Sequence, residues 1–355
     1  MINAPTMSNR TIWRLIEDDI REPAMHFAME EALLRLTDEA YIGPTLRIRR
    51  VNPSVWIGYY QTPSEDVDVD YCIEHNLKIV RRLNSGGAVY QDKGTFCYSA
   101  FFQKNDFFSN HNIQQPEELY QLFGAVIIDM CKELNIEATL SPVNDIIVNG
   151  RKIYGSAQLD WYSAFAHSGS IMVNVNRDTM QLALRPSNLK FADKGFKNVK
   201  DRVVNLAELT PTPIDVKQVI NLFVKSFEQK LNAQLEPSAF TSQEWELAKQ
   251  LYEEKYSRPE WTFARSKTAK SMVSAKIPSG VLTLKFELQN NRFQAAALHG
   301  DFLLANHREA ERFLSNCINK TPGQVLEELN NANLPQGLKN GLANLIKQIE
   351  SNGAC

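Results

Sequence analysis

Apolar side chains recur along this chain with two different spacings. Over residues 23–37, Met25, Ala28, Met29, Ala32, Leu33 and Leu36 fall on one helical face, with Pro23 just inside the start. Residues 116–134 carry the clearest stripe: Leu119, Leu122, Phe123, Val126, Ile127, Met130 and Leu134, opened by Pro116. Elsewhere the apolar runs shorten to strand length. Thr45–Arg50 and Val55–Gly58 read as strands broken by Asn52-Pro53, Leu77–Arg82 as a strand running into a stretch of small residues, and Gly169–Val175 as another. Ile146–Val148 and Lys152–Tyr154 flank Asn149-Gly150, the strongest short hairpin signal. Alternation along the second of these runs puts Lys152 and Tyr154 on one face. Hairpins mixed with long helices, rather than repeated βαβ units, predict an α+β fold.

The character changes after about residue 240. Residues 242–256 read as a polar helix, and the stretch that follows, SRPEWTFARSKTAKSMVSAKIPSG, as an extended linker. Between Trp261 and Phe286 the chain holds Arg265, Lys267, Lys270, Lys276 and Lys285 and no acidic residue. That suits a solvated linker or a basic arm near phosphates. Val281–Leu288 and Phe293–Leu298 form a hairpin around Gln289-Asn290-Asn291, and three short helices follow, the last with Leu338, Leu342, Leu345, Ile346 and Ile349 on one face. The expected division is 1–256 for a large domain and 257–355 for a linker and small C-terminal domain, packed loosely and able to reorient.

Composition narrows the classes. With 355 residues, 43% hydrophobic and 23% charged, the chain suits a globular protein with two cores. A net charge of −2 gives no reason to expect a nucleic-acid partner. No apolar run approaches bilayer length, and the first residues show neither a secretory signal nor a transit peptide, so no membrane is expected and the expected location is cytoplasmic. The five cysteines lack CxxC spacing and the six histidines lack ligand spacing, so neither a disulfide frame nor a bound metal is expected. Cys97 and Cys131 sit among apolar residues, as inert buried thiols do.

Two segments carry candidate chemistry. Residues 81–95 read RRLNSGGAVYQDKGT, and 144–158 read NDIIVNGRKIYGSAQ. In the first, Ser85-Gly86-Gly87-Ala88 has almost no side-chain bulk, so its N–H groups can approach an anion, and Arg81 and Arg82 bring forked donors suited to an oxyanion. This is neither a Walker loop nor a GxGxxG fingerprint. In the second, Lys152 stands on a hairpin just before Gly155-Ser156-Ala157. One fixed cation beside a row of N–H donors can stabilise negative charge that builds on an oxyanion.

These segments resemble the two signatures of the lipoate–protein ligase family, RRxSGGGAVYHDxGN and NDxxxxGRKxxGSA. Pro53, Gly58 and Gln61, His167-Ser168-Gly169-Ser170, Lys194-Gly195 with Arg202-Val203-Val204-Asn205-Leu206, and Gly300-Asp301-Phe302 extend the resemblance over nearly the whole chain. It implies a large mixed-sheet catalytic domain of the biotin/lipoate ligase type and a small α+β C-terminal accessory domain. The implied activity is ATP-dependent. Lipoate is activated to lipoyl-AMP, with Mg²⁺ accompanying ATP and no tightly bound prosthetic group, and the acyl group passes to a lysine of an acceptor.

Carried over by position, Arg82 and the backbone of Gly87, Ala88, Val89 and Tyr90 would hold the adenylate. Lys152 would be catalytic and touch both adenylate and lipoate. Ser85, Gly86 and His167 would face lipoate, and Asp145 would bind Mg²⁺ or orient Lys152. Implied acceptors are the lipoyl domains of 2-oxoacid dehydrogenase E2 subunits and the glycine-cleavage H protein, served by a monomer. The chain departs from the pattern at Ser85, Gln91 and Thr95, and at Tyr59-Tyr60, where many ligases have Arg-Asn. Serine at position 85 would be strained if the turn needed a positive φ there. Two rival readings remain open: an ATP-independent lipoyl or octanoyl transferase of the same fold, and a non-catalytic lipoyl-binding relative. Transferases use a cysteine, and neither 138–143 nor 161–166 contains one.

Overall fold

The computed structural model describes residues 10–186, 198–263 and 270–352. Its strands, in chain order, are β1 (Thr11–Asp18), β2 (Thr45–Arg49), β3 (Ser54–Ile57), β4 (Lys78–Arg81), β5 (Val89–Gln91), β6 (Thr95–Gln103), β7 (Thr139–Ser141), β8 (Asp145–Val148), β9 (Arg151–Trp161), β10 (Ala164–Met172), β11 (Ala233–Pro237), β12 (Ser271–Ile277), β13 (Gly280–Gln289) and β14 (Arg292–Gly300). Eight of them form one sheet in the order β11-β1-β2-β6-β10-β9-β8-β7. β1 is parallel to β2 and β11, and the other pairings in this sheet are antiparallel. A small sheet, β4-β3-β5, lies apart from it. The class is α+β, with a large mixed sheet and a small C-terminal α+β unit.

Alternation gives the large sheet two unlike faces. One carries Leu46, Ile48, Phe96, Tyr98, Phe102, Phe165 and Ile171 into a core closed by the Glu118–Glu133 and Val216–Lys230 helices. The Glu118–Glu133 helix starts two residues after Pro116, which therefore precedes the helix rather than opening it. The other face meets the Pro23–Asp38 helix through Phe101, Leu159, Ala164 and Ala166. Its middle is polar. Arg47 is fully buried and pairs with Asp18 at 2.5 Å and Glu30 at 3.0 Å, while Arg49 pairs with Glu30 at 2.8 Å. Ser99 donates to Glu30 at 2.7 Å and lies 2.9 Å from Ser168. Two arginines in a central strand are tolerable only because helix and strand each supply a carboxylate.

The C-terminal unit is a three-stranded sheet, β12-β13-β14, backed by the His307–Cys317, Pro322–Asn331 and Gln336–Asn352 helices. Ser271–Ile277 is thus an edge strand, not part of an extended linker; its register with β13 runs from Ser271↔Phe286 to Ile277↔Gly280. Arg265 and Lys267 lie outside the described residues, as does Lys194-Gly195. Pro259–Phe263 packs on the large unit, where Trp261 donates to the Arg81 carbonyl.

The two units are not loosely packed. Tyr60 is buried within the C-terminal core and stacks on Phe302 at 5.0 Å, and Tyr59 stacks on His307 at 4.2 Å. The aromatic pair that departs from the family's Arg-Asn is therefore an anchor between domains.

Candidate active site

Cross-strand register lines up one row of residues across five strands: Arg49 opposite Cys97, Cys97 opposite Ser170, Ser170 opposite Gly155, and Gly155 opposite Asp145. Directly opposed residues share a face, so the row crosses the polar face in four steps, about 19 Å at the usual interstrand spacing. All five line a cavity of about 670 Å³. The row stays open because its middle members are small. The small-residue loop and β5 form one wall, and Lys276, Ser279, Gly280 and Leu303 of the C-terminal unit form the roof.

Lys152 reaches the Asp145 end of this row through a bulge. The β8–β9 register passes from Ile146↔Tyr154 to Ile147↔Lys152, so Ile153 is the extra residue. The bulge undoes simple alternation. Tyr154 points into the opposite core, whereas Lys152 swings over Gly155, correcting the expectation that the two share a face. A Cβ on Gly155 would sit 2.3 Å from the lysine Nζ, so glycine makes the room. Nζ lies 2.6 Å from Asp145 Oδ1, and Arg202 lies 3.2 Å from Oδ2. Asp145 is buried, with both oxygens engaged by cations. That arrangement orients Lys152 and leaves the carboxylate poorly placed as a Mg²⁺ ligand. Arg202 arrives through Val203, which bridges in parallel to Lys152, with the Val204 N–H donating to the Lys152 carbonyl. Its motif was visible in the sequence, but its place beside Asp145 was not.

The two arginines of the first segment divide their work. Arg81 donates to the carbonyls of Gly58, Tyr59, Gln61, Trp261 and Thr262, away from the cavity. Arg82 borders the cavity and donates to the carbonyls of Trp56, Ser85 and Gly87. Its burial lowers its pKa to about 10, which still leaves it charged at neutral pH. Arg82 thus shapes the loop whose Gly86, Gly87, Ala88, Val89 and Tyr90 line the cavity.

Gly86 takes the positive φ, 99°, and Ser85 does not, so serine carries no backbone strain. Instead Ser85 Oγ donates to the Leu304 carbonyl at 2.9 Å and accepts from the Leu304 N–H at 2.6 Å. The Gly86 N–H donates to the Phe302 carbonyl at 3.1 Å. Replacing the hydroxyl removes two buried interdomain bonds. Ser85→Gly is expected to raise amide hydrogen exchange across 301–305 by about tenfold, the scale of one to two net hydrogen bonds, without unfolding either domain. Unchanged exchange there would show that the hydroxyl does not hold the roof.

His167 does not face the cavity. It points into the opposite core, stacked on Phe123 at 4.1 Å, 3.3 Å from the Tyr154 hydroxyl and fully buried. Burial lowers its pKa to about 3, so it is neutral at physiological pH. Its neighbours Ser168 and Ser170 are the residues on the cavity side, so the expected lipoate contact of His167 is corrected. Cys97 is in the row and so in the wall, which the sequence did not reveal. It is buried, and that burial raises its pKa to about 12. Cys131, on the helix side of the other core, is likewise pushed up to about 12.

A family model, the lipoyl protein ligase A/B catalytic domain, matches residues 22–228, more than half of the chain. The chain belongs to this family. It is 29% identical to lipoate–protein ligase 1 of Staphylococcus aureus over 85% of this chain and 88% of that protein. It is also 26% identical to the octanoyltransferase LipM of Halalkalibacterium halodurans, over 71% of this chain and 99% of that one. Among solved structures, the bipartite lipoate protein ligase of Thermoplasma acidophilum, described with its E2 lipoyl domain, superposes with a TM-score of 0.62. That match is 25% identical and covers 74% of this chain and 99% of that one. P. falciparum LipL1, in complex with lipoate, shares the fold over 96% of this chain and 99% of its own, with a TM-score of 0.74 at 18% identity. The relatives thus include ligases and transferases. Among the described residues no helix is long and apolar enough to cross a membrane.

Proposed function

We propose that this protein is an ATP-dependent lipoate–protein ligase. The observation that carries the reading is Lys152, held by Asp145 over Gly155 at one end of a roofed cavity, opposite a loop of small residues. In the first step the lipoate carboxylate attacks the α-phosphate of ATP and pyrophosphate leaves. In the second the acceptor lysine attacks the mixed anhydride and AMP leaves. Each step gathers negative charge on oxygens near Lys152, and a cation already fixed in place stabilises that charge without reorganising. Arg202 adds a second positive group at the same end. Mg²⁺ would arrive with ATP, with the phosphates supplying its ligands. The roof keeps water from the anhydride and must lift to admit a protein-borne lysine. Lipoyl domains and the H protein are the proposed acceptors.

The transferase reading would need an acyl-cysteine. Among the described residues Cys97 is the cysteine that lines the cavity, and its burial pushes the thiol pKa up to about 12, away from the thiolate that acyl transfer needs. Cys97→Ala is therefore expected to keep turnover, and mass spectrometry during reaction should find no acyl-thioester. A trapped lipoyl-cysteine would overturn the ligase reading. The direct test is acceptor lipoylation with and without ATP. Modification from free lipoate only when ATP is present supports the ligase, and ATP-independent transfer from an acyl-carrier thioester rejects it.

A further inference from the structure

The turn into Asp145 holds a strained residue. Pro142-Val143-Asn144 joins β7 to β8, and Val143 has a φ of +83°. Among the described residues ten other non-glycine positions have a positive φ, all between 47° and 64°, and eight of them are asparagines. Asparagine tolerates this region, whereas a β-branched side chain clashes with its own backbone there. Val143 is thus an outlier both in its angle and in its side chain.

The strain is imposed from both sides. Pro142 has its φ set by its ring. Asn144 is clamped to β9: its side-chain amide donates to the Ser156 carbonyl at 2.6 Å, and its carbonyl accepts from the Ser156 N–H at 3.1 Å and the Ser156 hydroxyl at 3.3 Å. Asp145 follows, held by Lys152 and Arg202. A turn so constrained can keep an unfavourable residue, but that does not explain a valine. Glycine or asparagine would relieve the strain with no loss of core packing, because Val143 joins none of the hydrophobic cores formed by the described residues. It lines the cavity.

Exposure falls step by step along this turn. Pro142 is exposed, Val143 and Asn144 are half-buried and Asp145 is buried, and all four border the cavity. The turn is therefore a rim that descends from solvent to the carboxylate holding Lys152. A group that reaches Lys152 over this rim meets Val143 on the way.

We infer that Val143 is the contact for the aliphatic stem of the incoming acceptor lysine, and so a specificity-determining residue for the transfer step. This rests on the reading that the acyl-adenylate is held at Lys152. A lysine entering over the rim presents its methylene stem behind the amine, and the isopropyl group of Val143 gives that stem an apolar surface. The same surface disfavours the ammonium form, and the amine must be neutral to attack. The strain is the cost of placing a branched apolar side chain at a turn position that suits glycine or asparagine.

Val143→Asn and Val143→Ile in the full chain test this, through thermal unfolding, lipoate-dependent ATP–pyrophosphate exchange, and transfer from supplied lipoyl-AMP to an E2 lipoyl domain. Val143→Asn is expected to melt at or above the parent temperature, with exchange within about twofold of the parent. Its kcat/KM for the acceptor should fall about tenfold through KM, the scale of one lost apolar side-chain contact. Val143→Ile keeps an apolar side chain and should keep transfer. Transfer at the parent rate in Val143→Asn overturns the inference. So does a parallel fall in exchange with a raised KM for ATP, which assigns Val143 to the nucleotide. A lowered melting temperature with both activities reduced makes the residue structural and overturns it as well. If the parent protein shows neither exchange nor transfer from lipoyl-AMP, the ligase reading itself falls, which separates the two failures.

Discussion

Lys152→Ala is expected to lower lipoate-dependent ATP–pyrophosphate exchange by about 10²–10³-fold, the usual scale for losing one preorganised donor to a developing oxyanion. The protein should remain folded. The lysine side chain is about one-quarter exposed, and Asp145 keeps Arg202 as a partner when Lys152 is removed. A melting temperature within a few degrees of the parent, together with the lost exchange, would separate chemistry from stability. Transfer from supplied lipoyl-AMP should also slow, because the second step builds charge on the same oxygens. Exchange close to that of the unmodified protein would remove Lys152 from the mechanism.

The second large effect is expected at a glycine that touches no substrate. A Cβ added to Gly58 would lie 2.0 Å from the Gly86 carbonyl oxygen and 3.0 Å from its carbon. Both groups are backbone, so neither can swing aside. The Gly58 turn is held by Arg81 and by Gln61, whose side chain accepts from the Gly58 N–H, while the Tyr59 N–H donates to the Asn84 carbonyl. Gly58→Ala must therefore displace the small-residue loop, and with it the Ser85 bonds to the roof. A misplacement of about 1 Å at such a site costs about 10²-fold in rate, and overpacking costs about 1–3 kcal/mol of stability. Adenylate formation measured beside thermal unfolding should show both losses. A variant with the parent's rate would mean the loop tolerates the shift and does not position the reaction.

Much of this molecule was legible in its sequence where the cause was local. The Asn149-Gly150 turn, the C-terminal hairpin and the two long helices follow from periodicity and turn chemistry, and the fold is where those elements led. What the sequence hid was set by partners far along the chain. The Ile153 bulge reverses the side on which Tyr154 lies relative to Lys152, and no residue type announces it. Arg81 and Arg82 are adjacent and identical, yet one binds five carbonyls at the junction with Trp261 and the other supports the loop from inside. His167 is carried inward because it is out of phase with Ser168 and Ser170 on β10. Tyr59, Tyr60 and Ser85 looked like departures from a pattern because the surface they meet lies more than two hundred residues later.

The five carbonyl bonds of Arg81 also decide how far the roof can travel. Because Arg81 grips Thr262, the chain is anchored to the large unit there, and eight residues separate that point from β12. Fully extended, such a tether reaches roughly 30 Å. If, as proposed, the C-terminal unit is released to admit an acceptor, it would be kept at an effective concentration on the order of millimolar near its own docking surface. Reclosure would then be a first-order event that dilution of the enzyme does not slow. The same unit supplied as a separate polypeptide would have to approach millimolar levels to do as well.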